Sequence, residues 1–157
     1  MKAVLLTIGK TDKNTIAVEI DNYIKRISFY LPFTLETIPD IKKTKNLTEN
    51  LQKQKEGEFI LSRLLPTDYV VLLDEGGRAF DSVEFAQYLE KKRKTIGKRI
   101  VFVIGGPYGF SEAIKTRANE KISLSKMTFT HQMVRLIFVE QLYRAMTILN
   151  NEPYHHN

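Results

Sequence analysis

Two groups of residues in this 157-residue chain have types and spacings suited to chemistry. The first is the loop IGGPYG (Ile104 to Gly109), which ends the apolar run beginning at Arg99 and holds three glycines. Glycine accepts positive φ and lets another molecule approach the main chain, so the loop is either a set of tight turns or a ligand cradle. A second glycine-bearing stretch, LLDEGG (Leu72 to Gly77), closes another apolar run. The second group lies in and after the last helical stretch: Arg135, Glu140 and Arg144, then Tyr154, His155 and His156. Glu140 and Arg144 have the spacing of an i,i+4 ion pair. Arg135 has no such partner, and a guanidinium in an apolar setting needs an anion, which makes it a candidate for holding an anionic substrate.

Several chemistries lack their signatures. The loop is not G-x-G-x-x-G, and neither a P-loop nor a G-x-S-x-G elbow occurs. The three histidines, His131, His155 and His156, lack metal spacing with nearby carboxylates, and His131 is read as structural. Without cysteine there are no disulfides or thiolate metal sites, which fits a reducing cytosol. Nothing approaches a membrane span or a secretory leader. Charge is more telling. Residues 1–90 carry 12 Lys/Arg against 14 Asp/Glu, whereas residues 91–157 carry 12 against 4, so the net charge of +6 resides in the C-terminal part. The run KKRK (Lys91 to Lys94) is readable as a solvated helix end, but the wider bias points to a phosphate-rich partner.

These residues must be positioned by alternating strands and helices. Strands are predicted at Lys2 to Gly9, Phe33 to Ile38, Tyr69 to Leu73, Arg99 to Ile104 and Lys121 to Leu124. Helices are predicted from Asp12 through Ile27, over Lys45 to Leu65, from an Asp81 cap with Glu84 completing a capping box, from a Ser111 cap to about Arg117, and over Thr130 to Asn150. The pattern predicts a single α/β domain with a mostly parallel sheet of five to six strands flanked by helices. In such a sheet ligands bind outside the carboxyl ends of the strands, where both glycine stretches fall. The last helix is apolar around most of its circumference, which predicts burial on one face and a second subunit on another.

The combination FVIGGPYG, SLSKMTFTHQMVRLIFVEQLYRA and the terminal PYHH, with LLDEGGRAFDSVEFA, resembles the ribosomal large-subunit pseudouridine N3-methyltransferase H family. That family belongs to the SPOUT class of trefoil-knotted methyltransferases, and the resemblance runs the length of the chain. It implies a C-terminal knot that holds S-adenosylmethionine. The implied cofactor residues are Leu73, Gly105 and the segment Leu124, Ser125, Lys126, Met127, Thr128 and Phe129. It further implies methylation of N3 of a pseudouridine in 23S ribosomal RNA, on the 70S ribosome or its large subunit, by a cytoplasmic homodimer that needs neither membrane nor metal. Candidates for the chemistry are Arg135 and Arg144 as cations for a developing imide anion or for RNA phosphate, His155 or His156 (or Glu140) as base, and Tyr154 against the target base. The alternative is a non-catalytic RNA-binding or ribosome-associated factor with the same knotted fold; a third reading, an enzyme acting on a small nucleotide, leaves the basic bias unused.

Overall fold

The computed structural model describes residues 1–13 and 15–156. Its elements are β1 (Lys2–Ile8), α1 (Thr15–Ile27), β2 (Phe33–Ile38), α2 (Glu49–Arg63), β3 (Tyr69–Ala79), α3 (Ser82–Thr95), β4 (Arg99–Ile104), α4 (Glu112–Arg117), β5 (Glu120–Ser123) and α5 (His131–Leu149). The five strands form one sheet in the order β2-β1-β4-β3-β5. All four pairings are parallel.

Alternation along the strands divides the core between the two sheet faces. Ala3, Leu5, Phe102 and Ile104 point to one side and meet Ile20 of α1, Phe85 and Leu89 of α3, and Phe138 and Leu142 of α5. Val4, Leu6, Val101 and Val103 point to the other and meet Ile60 of α2 and Ile114 of α4. Helix starts follow the local chemistry. Thr48, Ser111 and Thr130 each accept a backbone N–H of the first turn. Asp81 and Glu84 form the expected reciprocal capping box. Such caps stabilise a helix start by about 1 kcal/mol each.

Two differences from the sequence reading matter for the site. The chain at LLDEGG does not turn where the glycines begin; β3 runs on to Ala79, with a register shift against β5 between Leu73 and Arg78. Gly77 serves that continuation. A Cβ there would lie 2.6 Å from the Ile122 carbonyl carbon, so only glycine lets β5 lie this close. The long polar helix is also shorter than its composition suggests, starting at Glu49 behind its Thr48 cap rather than at Lys45.

Candidate active site

Four segments converge at the middle of β3 and the carboxyl ends of β4 and β5 around a cavity of about 340 Å3. Leu73, Asp74 and Glu75 come from β3, and Ile104 to Pro107, Gly109 and Phe110 come from the end of β4 and its glycine loop. Ser123 ends β5, Leu124, Ser125 and Met127 to Phe129 follow it, and His131 and Val134 belong to the first turn of α5. Seven of the eight residues expected at a cofactor line this one space: Leu73, Gly105, Leu124, Ser125, Met127, Thr128 and Phe129. Lys126 does not; it is exposed and outside the lining. Sequence reasoning missed Asp74, Glu75, Phe110, His131 and Val134. The carboxylates lay within a stretch singled out for its glycines, and His131, taken as structural, stands in the wall.

The glycine loop is shaped by what its missing side chains leave room for. Gly106 and Gly109 bridge each other, with Gly109 N–H donating to Gly106 O at 3.2 Å, and Gly109 has φ +81°. That conformation is one L side chains rarely adopt. A Cβ on Gly105 would meet the Phe110 ring at 3.0 Å, so this glycine makes room for an aromatic wall of the cavity rather than for the ligand itself. A Cβ on Gly106 would land on the Glu56 carboxylate. Glu56 is buried behind the loop, and its Oε1 has no hydrogen-bond partner. Burial raises its pKa, Gln52 opposes through a hydrogen bond, and Asp40 adds a smaller repulsion.

The cavity suits S-adenosylmethionine in its donor set. Leu73, Ile104, Leu124 and Phe129 offer apolar walls for a purine, and the loop offers backbone N–H and C=O groups. Asp74 and Glu75 line it without any lysine or arginine, a balance that favours a cationic sulfonium.

Arg135 is corrected by its surroundings. The argument that it needs an outside anion fails, because four of its five N–H donors find acceptors within the fold. Nη1 donates to Gly9 O at 2.9 Å and Thr11 Oγ1 at 3.1 Å, Nη2 to Ile8 O at 2.9 Å, and Nε to His131 O at 3.3 Å. The side chain is 1% exposed, and burial lowers its pKa, opposed by Asp12 and Asp40. It pins the end of β1 to the first turn of α5, which forms part of the cavity wall.

The C-terminal residues form a second constellation. Asn151, at φ 55°, turns the chain back after α5, and Glu152 N–H reaches Thr147 O at 2.9 Å, the bond that closes a helix end. Tyr154 then packs edge-on against Tyr143 at 4.8 Å and shares a hydroxyl contact with Tyr23 at 3.3 Å. The Tyr154 hydroxyl also donates to Glu140 Oε1 at 3.2 Å, and burial, Tyr23 and Glu140 together raise its pKa. Arg144 donates to the same Glu140 oxygen through Nη2 at 2.6 Å and Nε at 3.0 Å, confirming the expected pair, and its guanidinium lies 4.8 Å from the Tyr154 ring centre. Arg144 Nη1 contacts His155 Nδ1 at 3.2 Å. A guanidinium can only donate, so Nδ1 accepts and the ring proton belongs on Nε2. His156 is exposed, and Asn157 lies outside the described residues. Tyr154 and His155 are thus held against α5 and α1 by side-chain contacts.

The two constellations lie at different levels of α5. From His131 in the cavity wall to Arg144 the helix rises about 20 Å at 1.5 Å per residue.

A cavity at the carboxyl edge of a parallel α/β sheet is where such folds bind ligands, and a family profile described as "Predicted SPOUT methyltransferase" matches residues 1–155. The chain belongs to the SPOUT methyltransferase family, enzymes that take their methyl group from S-adenosylmethionine. Among similar proteins, the ribosomal RNA large subunit methyltransferase H of Parabacteroides distasonis is 64% identical over 156 residues, 99% of each chain. The proteins of the same name from Flavobacterium johnsoniae and Bacteroides fragilis are 60% and 56% identical over 156 residues, again 99% of each chain. Among the described residues no helix is long and apolar enough to cross a membrane, and no group of three or more His, Cys, Asp or Glu could hold a metal ion.

Proposed function

We propose that this protein methylates N3 of a pseudouridine in large-subunit ribosomal RNA, in the cytoplasm and on the assembled ribosome, working as a homodimer. The observation that carries the reading is the meeting of Leu73, Gly105 and the Leu124 to Phe129 segment around one cavity, in a chain 64% identical to a ribosomal RNA large subunit methyltransferase H. These residues would hold the cofactor, which supplies an electrophilic methyl group, and the segment would pass through the knot of its class.

The chain's own residues supply the rest. The imide nitrogen must lose its proton as the new N–CH3 bond forms, so the site needs a proton acceptor and positive charge near the developing anion. His155 is the acceptor in this reading through Nδ1, its one basic nitrogen, which must first leave Arg144 Nη1, and Arg144 then supplies the charge. Tyr154 holds Glu140 and orders the tail. Arg135 acts on the cavity wall rather than on substrate.

A second copy resolves the separation along α5. Met133, Ile137, Glu140, Arg144 and Ile148 are exposed or half-buried at spacings of three and four, which gives α5 an outer stripe running its whole length. Antiparallel pairing of two such stripes about a twofold axis sets the tail of one copy beside the cavity of the other. The C-terminal cationic bias then faces RNA phosphate beside the site.

Transfer of labelled methyl from S-adenosylmethionine to ribosomes from cells lacking this protein, with the product mapped, tests the reading. Label in the large-subunit RNA at N3 of a pseudouridine is the expected result; cofactor binding without transfer would instead support a non-catalytic ribosome-associated factor.

A further inference from the structure

In a parallel sheet every strand ends at the same edge, so the loops after β1 and β2 stand on the same side of the molecule as the glycine loop that follows β4. Five lysines lie on them. Lys10 and Lys13 follow β1, and Lys42, Lys43 and Lys45 follow β2, all exposed. Among the described residues none of the five joins an ion pair. The run KKRK differs on both counts: it closes α3 at the opposite edge, where Lys92 pairs with Glu120, and Arg93 and Lys94 pair with Glu90.

Both loops are anchored beside the cofactor cavity. Gln132 Oε1 accepts the Asp12 N–H at 2.9 Å and Gln132 Nε2 donates to Lys10 O at 3.2 Å, while Arg135 donates to Gly9 O and Thr11 Oγ1. The first turn of α5 thus walls the cavity and fixes the loop that carries Lys10 and Lys13. The second loop is held at its flanks. The Asp40 carboxylate lies 2.8 Å from where a Cβ of Gly9 would sit, and Glu56 of α2 backs onto Gly106. Helix α2 runs back from the carboxyl edge, so the residues from Glu49 to Glu56 carry its start about 10 Å past the glycine loop at 1.5 Å per residue. Lys42, Lys43 and Lys45 lead into that start, on the face of the sheet opposite α5. A second copy seated on α5 leaves them open.

The carboxylates on these loops do not cancel the charge. Asp12 and Asp40 act on the buried Arg135 guanidinium, whose bonded partners are carbonyls and one hydroxyl and bring no counter-charge. The methyl donor is itself a sulfonium cation, so the lysines are not there to recruit it. Separate ammonium groups on two loops form no cradle for a small anion. They suit a polyanion lying across them, and lysine contacts to phosphate position a nucleic acid without reading its sequence.

We propose that Lys10, Lys13, Lys42, Lys43 and Lys45 grip the phosphates of RNA flanking the target nucleotide and so set the substrate across the mouth of the cofactor cavity. The inference rests on the reading that the substrate is ribosomal RNA.

Changing Lys42, Lys43 and Lys45 together to Gln should raise KM for ribosomes on the order of 100-fold near 0.1 M salt, while kcat and cofactor affinity by calorimetry stay within a few-fold. Salt gives the sharper readout. The slope of log affinity against log salt concentration should flatten by about 2 to 3, since each lost phosphate contact removes about 0.7 to 0.9. Lys10→Gln with Lys13→Gln should flatten it by about 1 to 2, and carries the test should the triple variant fail to bind cofactor. Lys2→Gln with Arg63→Gln removes two charges at the opposite edge and should leave the slope as in wild type. Lysine variants that bind cofactor and keep the wild-type slope overturn the inference and leave the methyltransferase reading standing. A control pair that loses as much also overturns it, because net charge then accounts for the binding. So does a loss seen on ribosomes but absent with protein-free large-subunit RNA, which assigns the lysines to a ribosomal protein. If wild-type protein methylates no ribosome, the reading beneath it fails as well.

Discussion

The cofactor cavity and the tail constellation are built on different principles. The cavity is made by four separate segments, largely from main chain and apolar side chains, and its glycines matter for what fits against them. The tail constellation is made by one helix and its returning end, and holds a carboxylate, a guanidinium, an imidazole and a phenol within hydrogen-bond distance of one another. A space of the first kind binds by shape; a cluster of the second kind moves protons and stabilises charge. Within one chain they are set apart along α5, so binding and chemistry ought to be separable by mutation.

Removing the tail should have the largest effect. A chain ending at Pro153 loses Tyr154, His155 and His156, and methyl transfer to ribosomes should fall by roughly 10²-fold or more, the scale of lost positioning and acid–base help. Its cofactor affinity should stay within a few-fold. Full-rate transfer by this chain would erase the contrast between the two regions. The converse change is smaller. Gly105→Val must displace the Phe110 ring, and titration calorimetry should show cofactor affinity weakened by about 10-fold in a protein whose tail is intact. Mixing the two defective chains sharpens the comparison, because a dimer that shares its sites regains one intact site and transfer recovers. Mixtures no more active than their components would mean that each tail serves its own cavity.

The smallest expected effect lies behind the glycine loop. The fold raises the pKa of Glu56, so it prefers the protonated carboxyl. That preference contributes stability fully below the ordinary glutamate value, about 4.3, and the contribution is lost as pH rises through the raised one. Glu56→Gln should therefore stabilise the protein near neutral pH, on the order of 1 kcal/mol in urea unfolding, with the gain shrinking toward acid. A variant less stable than wild type at neutral pH would show that the charged carboxylate supports the loop.

The sequence made the alternation of elements legible because each transition carries a local signal: Asp81 with Glu84, Ser111 and Thr130 at helix starts, and apolar runs for strands buried on both faces. The cofactor segment was legible through a resemblance of long motifs. What stayed hidden was set by distant partners. Arg135 finds three of its four acceptors in residues more than 120 positions earlier, and no spacing within α5 announces them. The length of β3 depends on how closely β5 approaches Gly77, a fact about two strands rather than one. Gln141 looks like any polar residue on a helix until Ser82 lies opposite it.

The strand order carries a consequence for how the molecule comes into being. β4 lies between β1 and β3 although it is synthesised after both, and β5 joins β3 only after that. A nascent chain thus cannot join the two halves of its sheet until Ile104 has been made, and its cavity has no fourth side before Val134 follows. Parallel pairings of this kind are slow to form, since long loops must close before any contact rewards them. Competence to bind cofactor therefore waits until the start of the helix after β5 has been made.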